Sequence, residues 1–266
     1  MMILWRENRK ILFSSSVIRH YILLCFSYLF LISSVNSVQA LEVAIDYDFA
    51  PYTLVNERGK GEGLFAEILI RALKLKNITP NISGVPWKRI VALTDSNQID
   101  ASIPWRAKEE RFEKYHMIGP LLKVGSKTVL WTKKNSIASL RNKLEDLKGF
   151  RIGIIEGYAY PEVFEKATYL NKVPYVLEND DMLRILYRGR VDIIIGDEFV
   201  LSAAALEMGL KDKFEQVGTH LDVVDRYIAV PRSREDVATL LADALSAYQD
   251  TPDYDQLIRS YLGDSR

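Results

Sequence analysis

Apolar and polar positions at the start of the chain after residue 40 predict a strand followed by a helix. In "LEVAIDYDFAPY" the apolar residues Leu41, Val43 and Ile45 are spaced by two, and the segment then enters an aromatic loop that ends at Pro51. A period of two is typical of a strand. The following "GLFAEILIRALKLKN" has helical spacing, with apolar residues at Leu64, Phe65, Ile68, Leu69 and Leu73.

The order of strand and helix is repeated further along the chain. "NISGV" predicts a strand, "PWKRIVALTDSNQ" a helix that begins at Pro86, and "IDASIPW" another strand. A second run predicts a strand over 150–155, a turn at Gly157, a helix around 161–170, then "VPYVLEN" and the helix "DDMLRILYRG". This alternation predicts βαβ units, and therefore an α/β fold with mostly parallel sheets flanked by helices.

Two short segments suggest that the runs form two similar lobes. "QIDASIPW" and "RVDIIIGDEF" each follow a predicted helix, carry an aspartate beside apolar residues and end in a polar or aromatic turn. We expect the strand ends of both lobes to point at a loop-lined crevice. The closing "EDVATLLADALSAYQDTPDYDQLIRSYLG" is predicted to be helical with one apolar face.

The second of these segments places two carboxylates directly after an apolar strand. The apolar residues Val191, Ile193, Ile194 and Ile195 are typical of a strand buried on both faces, and Asp197 and Glu198 come just past them. Acidic residues here could cap the helix that "VLSAAALE" begins. They could also contact a ligand, since ligands of open α/β sheets bind outside the carboxyl ends of the strands. The segment alone leaves both interpretations open.

The first forty residues are predicted to be a secretory signal. A basic stretch precedes the apolar "YILLCFSYLFLISSV", and "SVQA" offers small residues for cleavage after Ala40. A retained membrane anchor is the alternative, but a spanning helix needs roughly 20 apolar residues and this run is shorter. The only cysteine, Cys25, lies inside the run and follows Leu24, where a lipoprotein signal would have a small residue.

Composition after the signal excludes several classes of function. Residues 1–40 hold four of the 35 basic residues and one of the 35 acidic residues, which leaves the rest with a net charge of −3. No basic stripe is present, so we expect no nucleic-acid partner. No cysteine follows Ala40, which excludes disulfides and thiolate metal sites there.

The residues that carry chemistry are those of a binding site rather than a catalytic one. No Gly-x-Ser-x-Gly, phosphate-loop or His-Glu-x-x-His motif occurs, so we expect no catalytic residue, metal or cofactor. Aromatic walls with a few charged anchors make a small-molecule site. Such groups stand at predicted strand ends and loops: Asp46, Tyr47, Phe49, Trp87, Trp105, Arg106, Arg111, Tyr158, Tyr160 and Asp197.

Arg111 has two interpretations of its own. It lies in "RAKEERFEKYH", a charged run that is typical of a solvated helix face. If it faced the crevice, its guanidinium fork would match a carboxylate in bidentate fashion.

From Leu41 onward the chain resembles the family 3 extracellular solute-binding proteins, the polar amino-acid receptors of ABC importers. The resemblance depends on the order and spacing of several segments rather than on any one of them. These are "VAIDYDFAPY", "GEGLFAEILIRAL", "PWKRIVALTDSNQID", "EERFEKYHMIGPL", "LEDLKGFRIGIIEG" and "GRVDIIIGDEF".

The resemblance implies a two-lobed fold of the type II periplasmic-binding-protein kind, whose chain crosses between the lobes twice and closes on a ligand. It implies that Arg111 binds an α-carboxylate and Asp197 an α-amino group, with Glu198 left as the helix cap. It also implies that Phe49 and Trp87 enclose the ligand side chain and that Asp46 lies where some members contact a basic side chain. The remaining expected ligand contacts are Trp105, Ala159 and Tyr160.

The chain also departs from the family pattern around these residues. Before Arg111 the family commonly has small hydroxyl residues, but here the segment contains Pro104, Trp105 and Lys108, and aligning Arg111 from Asp100 needs a one-residue deletion. In "GYAYPEVF" an alanine replaces the usual threonine, so it offers only a backbone N–H at a helix start. These changes make the pocket more aromatic and weaken the case for a common α-amino acid as the ligand.

Together these observations predict a periplasmic solute-binding protein that captures an amino acid or similar small carboxylate. We expect lobe 1 to comprise 41–131 and 222–266 and lobe 2 to comprise 132–221, in a monomer that works with an inner-membrane ABC permease. One alternative is an enzyme on the same scaffold, with Glu156, Asp197 and Glu198 as acid–base groups. A second alternative is a ligand-sensing module for a membrane kinase.

Overall fold

The fold is built on two β-sheets, each covered by helices on both faces. The computed structural model describes residues 40–175 and 178–263, so the predicted signal over 1–40 lies outside the described residues except for Ala40. The strands are β1 (Glu42–Asp46), β2 (Asp48–Phe49), β3 (Thr53–Val55), β4 (Gly61–Glu62), β5 (Asn81–Val85), β6 (Ala101–Arg106), β7 (Tyr115–Ile118), β8 (Ser126–Lys133), β9 (Arg151–Ile155), β10 (Asn171–Tyr175), β11 (Ile193–Asp197), β12 (Phe214–Gln216), β13 (Asp222–Val224) and β14 (Arg226–Pro231). The α-helices are α1 (Leu64–Lys74), α2 (Trp87–Asp95), α3 (Glu109–Lys114), α4 (Glu162–Lys166), α5 (Asn179–Tyr187), α6 (Glu198–Glu207), α7 (Glu235–Gln249) and α8 (Pro252–Leu262), and short 3-10 helices span Ile137–Leu140, Leu144–Leu147 and Lys211–Lys213.

Each sheet combines parallel and antiparallel pairs. The first has the order β5-β1-β6-β14-β7, with β1 parallel to β5 and β6 and with β14 antiparallel to β6 and β7. The second has the order β10-β9-β11-β8-β12, with β9 parallel to β10 and β11, while β8 is antiparallel to β11, β12 and β13. A small antiparallel sheet, β2-β3-β4, follows β1.

The α/β class is confirmed, but the sheets are mixed rather than mostly parallel. The chain passes from the first sheet to the second between β7 and β8, and it returns between β13 and β14. Strands β8 and β14, which follow these crossings, enter their sheets antiparallel to their neighbours. Each passage therefore adds antiparallel pairs beside a parallel βαβ centre, and mixed sheets of this kind are common.

The predicted lobe boundaries fall within elements of the second sheet. A boundary between residues 131 and 132 would divide β8, and one between 221 and 222 would separate β13 from the strand it pairs with. Boundaries within 119–125 and at Asp225 would keep both sheets whole. The division into lobes stays a prediction.

Alternate residues of the sheets enter separate cores, which explains the apolar runs in the sequence. In β11, Ile194 packs with Met182 of α5 on one face, whereas Ile193 packs with Phe164 of α4 on the other. All four side chains are buried, and full burial of such a side chain contributes about 1.5–3 kcal/mol. The run therefore lies in a strand covered on both faces, as its sequence predicts.

The helices differ from the predicted ones mainly at their ends. The helix expected around 161–170 is limited to Glu162–Lys166, and the C-terminal helical segment is divided into α7 and α8. Thr251 makes that division, because its side chain accepts a hydrogen bond from the backbone N–H of Tyr254 and Pro252 follows it. Across residues 40–175 and 178–263, no helix has the length and apolar character needed to cross a membrane.

Candidate functional site

A cleft with about 300 Å³ of empty space, part of it open to solvent, lies where loops of the first sheet meet a loop of the second. It opens at the carboxyl end of β1 and beside the segment that follows β9, which is the edge where open α/β sheets bind ligands. Its lining consists of Asp46, Phe49, Trp87, Pro104, Arg106, Arg111, Tyr158, Ala159 and Arg226.

Three guanidinium groups form one side of the cleft. Arg106 ends β6 and Arg226 begins β14, and the two residues are direct partners in the register of these antiparallel strands. Arg111 of α3 reaches back toward them, with its Nη1 donating to the carbonyl oxygen of Arg106 at 3.0 Å. Burial lowers the pKa of Arg106 and of Arg111, and nearby guanidinium charge acts in the same direction. The cleft thus concentrates positive charge.

Two of the three arginines are paired with acids of the second sheet. Arg106 forms an ion pair with Asp222 of β13, and its Nη1 donates to Thr128 Oγ1 at 3.2 Å. Arg226 Nη2 donates to Asp197 Oδ2 at 3.3 Å. Both acids lie in strands of the second sheet, so these pairs join the two sheets beside the crossing segments.

Asp197 caps a helix as well as pairing with Arg226. Its Oδ1 accepts a hydrogen bond from the backbone N–H of Phe199 at 3.1 Å, which makes it the N-cap of α6. Glu198, expected to be the cap, is instead the first helical residue, and its Oε2 lies 3.7 Å from Lys127 Nζ. The side chain of Asp197 is only 1% exposed.

Aromatic rings hold two of the guanidinium groups in place. The Cζ of Arg111 lies 4.9 Å from the ring centroid of Trp105 and 5.6 Å from that of Trp87. Arg226 Cζ lies 5.0 Å from the centroid of Phe49. Such cation–π contacts fix the orientation of a guanidinium group. Phe49 and Trp87, which the resemblance places around the ligand side chain, therefore each have an arginine over one face.

Trp87 also connects the two sheets. Its indole Nε1 donates to the carbonyl oxygen of Gly157, in the loop after β9, at 3.0 Å. Trp105 lies behind Arg111 rather than in the lining: it is buried, and its Nε1 donates to Ser102 Oγ at 2.8 Å.

Two aspartates at the end of β1 make further contacts with the second half of the chain. Asp46 Oδ2 accepts a hydrogen bond from the hydroxyl of Tyr158 at 3.1 Å, and its Oδ1 accepts one from the N–H of Asp48 at 3.3 Å. Asp48 accepts from the N–H of Asn179, whose Nδ2 donates to the Asp48 carbonyl at 2.6 Å. Burial is the main cause that raises the pKa of Asp46 to about 6 and the pKa of Asp48 to about 7.

The structure brings five of the eight predicted contact residues to the cleft. Those in its lining are Asp46, Phe49, Trp87, Arg111 and Ala159. The other three, Trp105, Tyr160 and Asp197, lie behind it. The hydroxyl of Tyr160 accepts from the N–H of Ile155 at 2.7 Å, and the ring packs on Phe164 in a core of the second sheet. Ala159 lies ahead of the cap of α4, which is Pro161, so its N–H is not at the helix start.

Sequence reasoning missed two lining residues. Pro104 and Arg226 were not among the predicted binding groups, although both line the cleft. For Arg226 the available signal was its place at the start of a strand directly after a crossing segment. Within the described ranges, no group of three His, Cys, Asp or Glu side chains is arranged to hold a metal ion.

Several solved structures are similar to this fold. A histidine kinase sensor domain with similarity to periplasmic binding proteins matches with a TM-score of 0.77 at 18% identity, covering 85% of this chain and 96% of that one. A mutant of ArgBP from T. maritima matches with a TM-score of 0.74 at 20% identity, covering 88% and 99%. The substrate binding protein of an amino acid ABC transporter matches with a TM-score of 0.70 at 18% identity, covering 84% and 99%. At these identities the similarity shows the fold.

The family is shown by the sequence itself. No curated protein matches the chain. The model of the bacterial extracellular solute-binding proteins, family 3, matches residues 41–264, nearly all of the chain after the predicted signal. The resemblance found in the sequence is thus confirmed, and the chain belongs to the bacterial extracellular solute-binding proteins, family 3.

Proposed function

We propose that this protein captures an amino acid or a similar small carboxylate or zwitterion in the cleft and delivers it to an inner-membrane ABC permease. Its family and fold are those of binding proteins, and the family is extracellular, which implies a periplasmic or extracellular location. We assign the periplasm on the predicted signal. A monomer without catalytic activity is part of the same proposal.

The main support for the proposal is that Arg111 lines the cleft and has few partners of its own. Its guanidinium lines the cleft and is held by Trp105, yet among the described residues it makes no ion pair and a single hydrogen bond, to a backbone carbonyl. A guanidinium has five N–H donors in a planar fork that matches a carboxylate. Arg111 is therefore oriented to bind a carboxylate that enters the cleft.

The proposed mechanism is closure of two lobes around the solute. Contacts from Trp87 to Gly157 and from Asp46 to Tyr158 join the two halves across the cleft. A solute that touches both halves stabilises the closed arrangement by its differential affinity for that state. We propose lobe boundaries within 119–125 and at Asp225, where the chain passes between the sheets.

A calorimetric screen of the mature protein tests the proposal. Amino acids, small peptides and other carboxylates should include at least one compound that binds with micromolar affinity. A hit at a hundredfold excess over its dissociation constant should stabilise the fold by about 2.7 kcal/mol, measured as a higher unfolding temperature. If no compound in such a library binds or stabilises the protein, the proposal is wrong.

The similarity to a histidine kinase sensor domain supports a second candidate, a ligand-sensing module. Import and sensing make different predictions for cells that lack this protein. Under import, uptake of the radiolabelled solute is lost and complementation restores it. Under sensing, uptake is unchanged and the transcriptional response to the solute is lost.

A further inference from the structure

The cleft presents many more hydrogen-bond donors than acceptors. Each of the three arginines has five N–H groups. Among the described residues Arg106 uses two of them, on Thr128 and Asp222, while Arg111 and Arg226 use one each. The Nε of Arg226 is buried and has no partner within the described part of the chain. An unmatched buried donor is costly, and a ligand with several acceptors would remove that cost.

The acceptors in the lining are few and already in use. Asp46 supplies the one carboxylate among the lining residues. Each of its oxygens accepts a hydrogen bond, one from Tyr158 and the other from the N–H of Asp48. Burial, together with the nearby carboxylate of Glu178, disfavours its charged form, although Arg226 acts in the opposite direction. The lining therefore offers a ligand one carboxylate, which is already hydrogen-bonded, and three guanidinium groups. Arg106 and Arg226 are paired with Asp222 and Asp197, while Arg111 has no ion pair among the described residues.

The acid expected to hold an α-ammonium group does not face the cleft. Asp197 is not in the lining, and its side chain is almost completely buried. One oxygen caps α6 through Phe199 and the other pairs with Arg226. Binding an ammonium group here would require this pair to open, which would leave the buried guanidinium without its counter-charge.

We infer that the solute is a small organic anion that carries one or two carboxylates and no α-ammonium group. This inference rests on the proposed function and narrows it, because the guanidinium groups of Arg106, Arg111 and Arg226 together favour an acceptor-rich dicarboxylate. An α-ammonium group is bonded to the carbon next to a carboxylate. It would therefore enter the cluster of guanidinium groups that binds that carboxylate, where like charges repel.

Matched pairs of compounds test the inference, since the members of each pair differ only in the α-ammonium group. Calorimetry on the mature protein would compare succinate with aspartate, glutarate with glutamate, and isovalerate with valine. The member without the ammonium group should bind at least about tenfold more tightly, equivalent to about 1.4 kcal/mol, in every pair that binds. If the amino acid binds more tightly, the inference is overturned and the proposed function stands. If none of the six binds and the wider screen is also negative, the inference and the proposed function both fail.

Two variants test the inference in a second way, independently of the comparison between compounds. Asp46→Asn removes the carboxylate and preserves its shape, so it should increase anion affinity, because a negative charge beside the bound anion is lost. A loss of affinity of about tenfold or more would show that Asp46 binds a cationic group, and would overturn the inference.

The second variant changes the arginine that pairs with Asp197. Arg226→Gln should weaken succinate or glutarate binding at least about tenfold and reduce the preference over the matching amino acid. Arg151→Gln is the matched control, because Arg151 also pairs with an aspartate, Asp192, but lies outside the cleft lining. An unchanged preference in Arg226→Gln, with the fold verified by its unfolding transition, would contradict the inference.

Discussion

At the scale of single residues, Asp197 combines a local role with a long-range one. It follows an apolar strand and caps the helix after it, which is one of the two interpretations that its sequence neighbours left open. Its second oxygen binds Arg226, whose position relative to Asp197 depends on how the chain returns from the second sheet. The sequence offered the local role as one of two alternatives, whereas it gave no indication of the ion pair.

The two roles of Asp197 can be separated by substitution. Asp197→Asn keeps an oxygen that can cap α6 and loses the charge, while Asp197→Ala loses both. Breaking a buried pair costs about 3–5 kcal/mol and losing a cap about 0.5–2 kcal/mol, so both variants should lower the free energy of unfolding and the alanine variant should lower it further. Urea denaturation of the unliganded protein measures this. Thr251→Ala, which removes the cap of α8 alone, is the control. Equal stability of Asp197→Asn and the unaltered protein would contradict the role of the ion pair.

Arg111 should contribute to binding much more than to folding. Arg111→Ala removes the guanidinium that lines the cleft and should weaken solute binding by about 2–5 kcal/mol. The unfolding free energy should change less, because among the described residues the side chain makes only a backbone hydrogen bond and ring contacts. Calorimetric titration and urea denaturation measure the two effects, with Arg151→Ala as the control. If Arg111→Ala binds the solute with unchanged affinity, the carboxylate must bind at another arginine.

At the scale of elements, the sequence pattern predicted β1, β5, β6, β9, β11 and most of the long helices, but it did not predict β7, β8 or β12 to β14. It also placed Tyr158 and Tyr160 together as candidate binding residues, although only Tyr158 lines the cleft. Tyr160 turns inward because its hydroxyl reaches the backbone N–H of Ile155 in the same half of the chain. Which of these two tyrosines faces the cleft depends on the geometry of the loop, and the sequence pattern does not predict that geometry.

The start of α1 depends on a glycine whose conformation no side chain would tolerate well. Gly63, the N-cap, has φ +98°, and an added Cβ would lie 2.6 Å from the carbonyl oxygen of Tyr52 and 2.8 Å from Leu54 Cδ2. Tyr52 stacks on Phe49, which lines the cleft. The close approach at Gly63 therefore helps to position one wall of the site.

Two glycine substitutions separate backbone strain from this steric contact. Gly59 also has a positive φ, +73°, but an added Cβ would have no neighbour within 4 Å. Gly59→Ala should therefore have only the conformational cost, about 1–2 kcal/mol. Gly63→Ala should have the same conformational cost and a further cost of about 1–3 kcal/mol, because its Cβ would overpack against Tyr52 and Leu54. Thermal and urea unfolding of both variants measure the difference, and equal destabilisation would show that the contact with Tyr52 is easily relieved.

At the scale of the whole molecule, the cleft is closed by contacts between residues far apart in the sequence. Trp87 binds Gly157, and Lys108 forms an ion pair with Glu165 at 2.9 Å. Asp46 joins this set through Tyr158. Sequence patterns predicted polar and aromatic groups at the strand ends, but each pairing depends on how the two sheets meet. This is also why Arg226 was missed, since only the register of β6 and β14 brings it beside Arg106.

Two contacts between the halves of the chain should make the stability of the fold depend on pH. Asp46 and Asp48 are bonded to Tyr158 and Asn179 of the other half of the chain. Burial raises the pKa of Asp46 to about 6 and that of Asp48 to about 7, against about 3.9 in an unfolded chain. A carboxyl whose pKa is raised by folding contributes stability that is fully present below the unfolded value. That stability is lost as the pH rises through the folded value.

The free energy of unfolding should therefore fall as the pH is raised from about 5 to 8, the window set by these two pKa values. Because one pKa unit corresponds to about 1.4 kcal/mol, the two groups together should account for at least about 1 kcal/mol of this fall. Urea denaturation at several pH values measures the slope. The double variant Asp46→Asn, Asp48→Asn keeps the shapes of both side chains and removes both titrating groups, so the slope of its unfolding free energy against pH should be flatter.

Asp253→Asn is the control, since folding lowers the pKa of this exposed aspartate through Tyr248 and Arg71. Its substitution should leave the slope between pH 5 and 8 unchanged. An equal slope in the double variant and the unaltered protein would place the pH dependence elsewhere in the molecule.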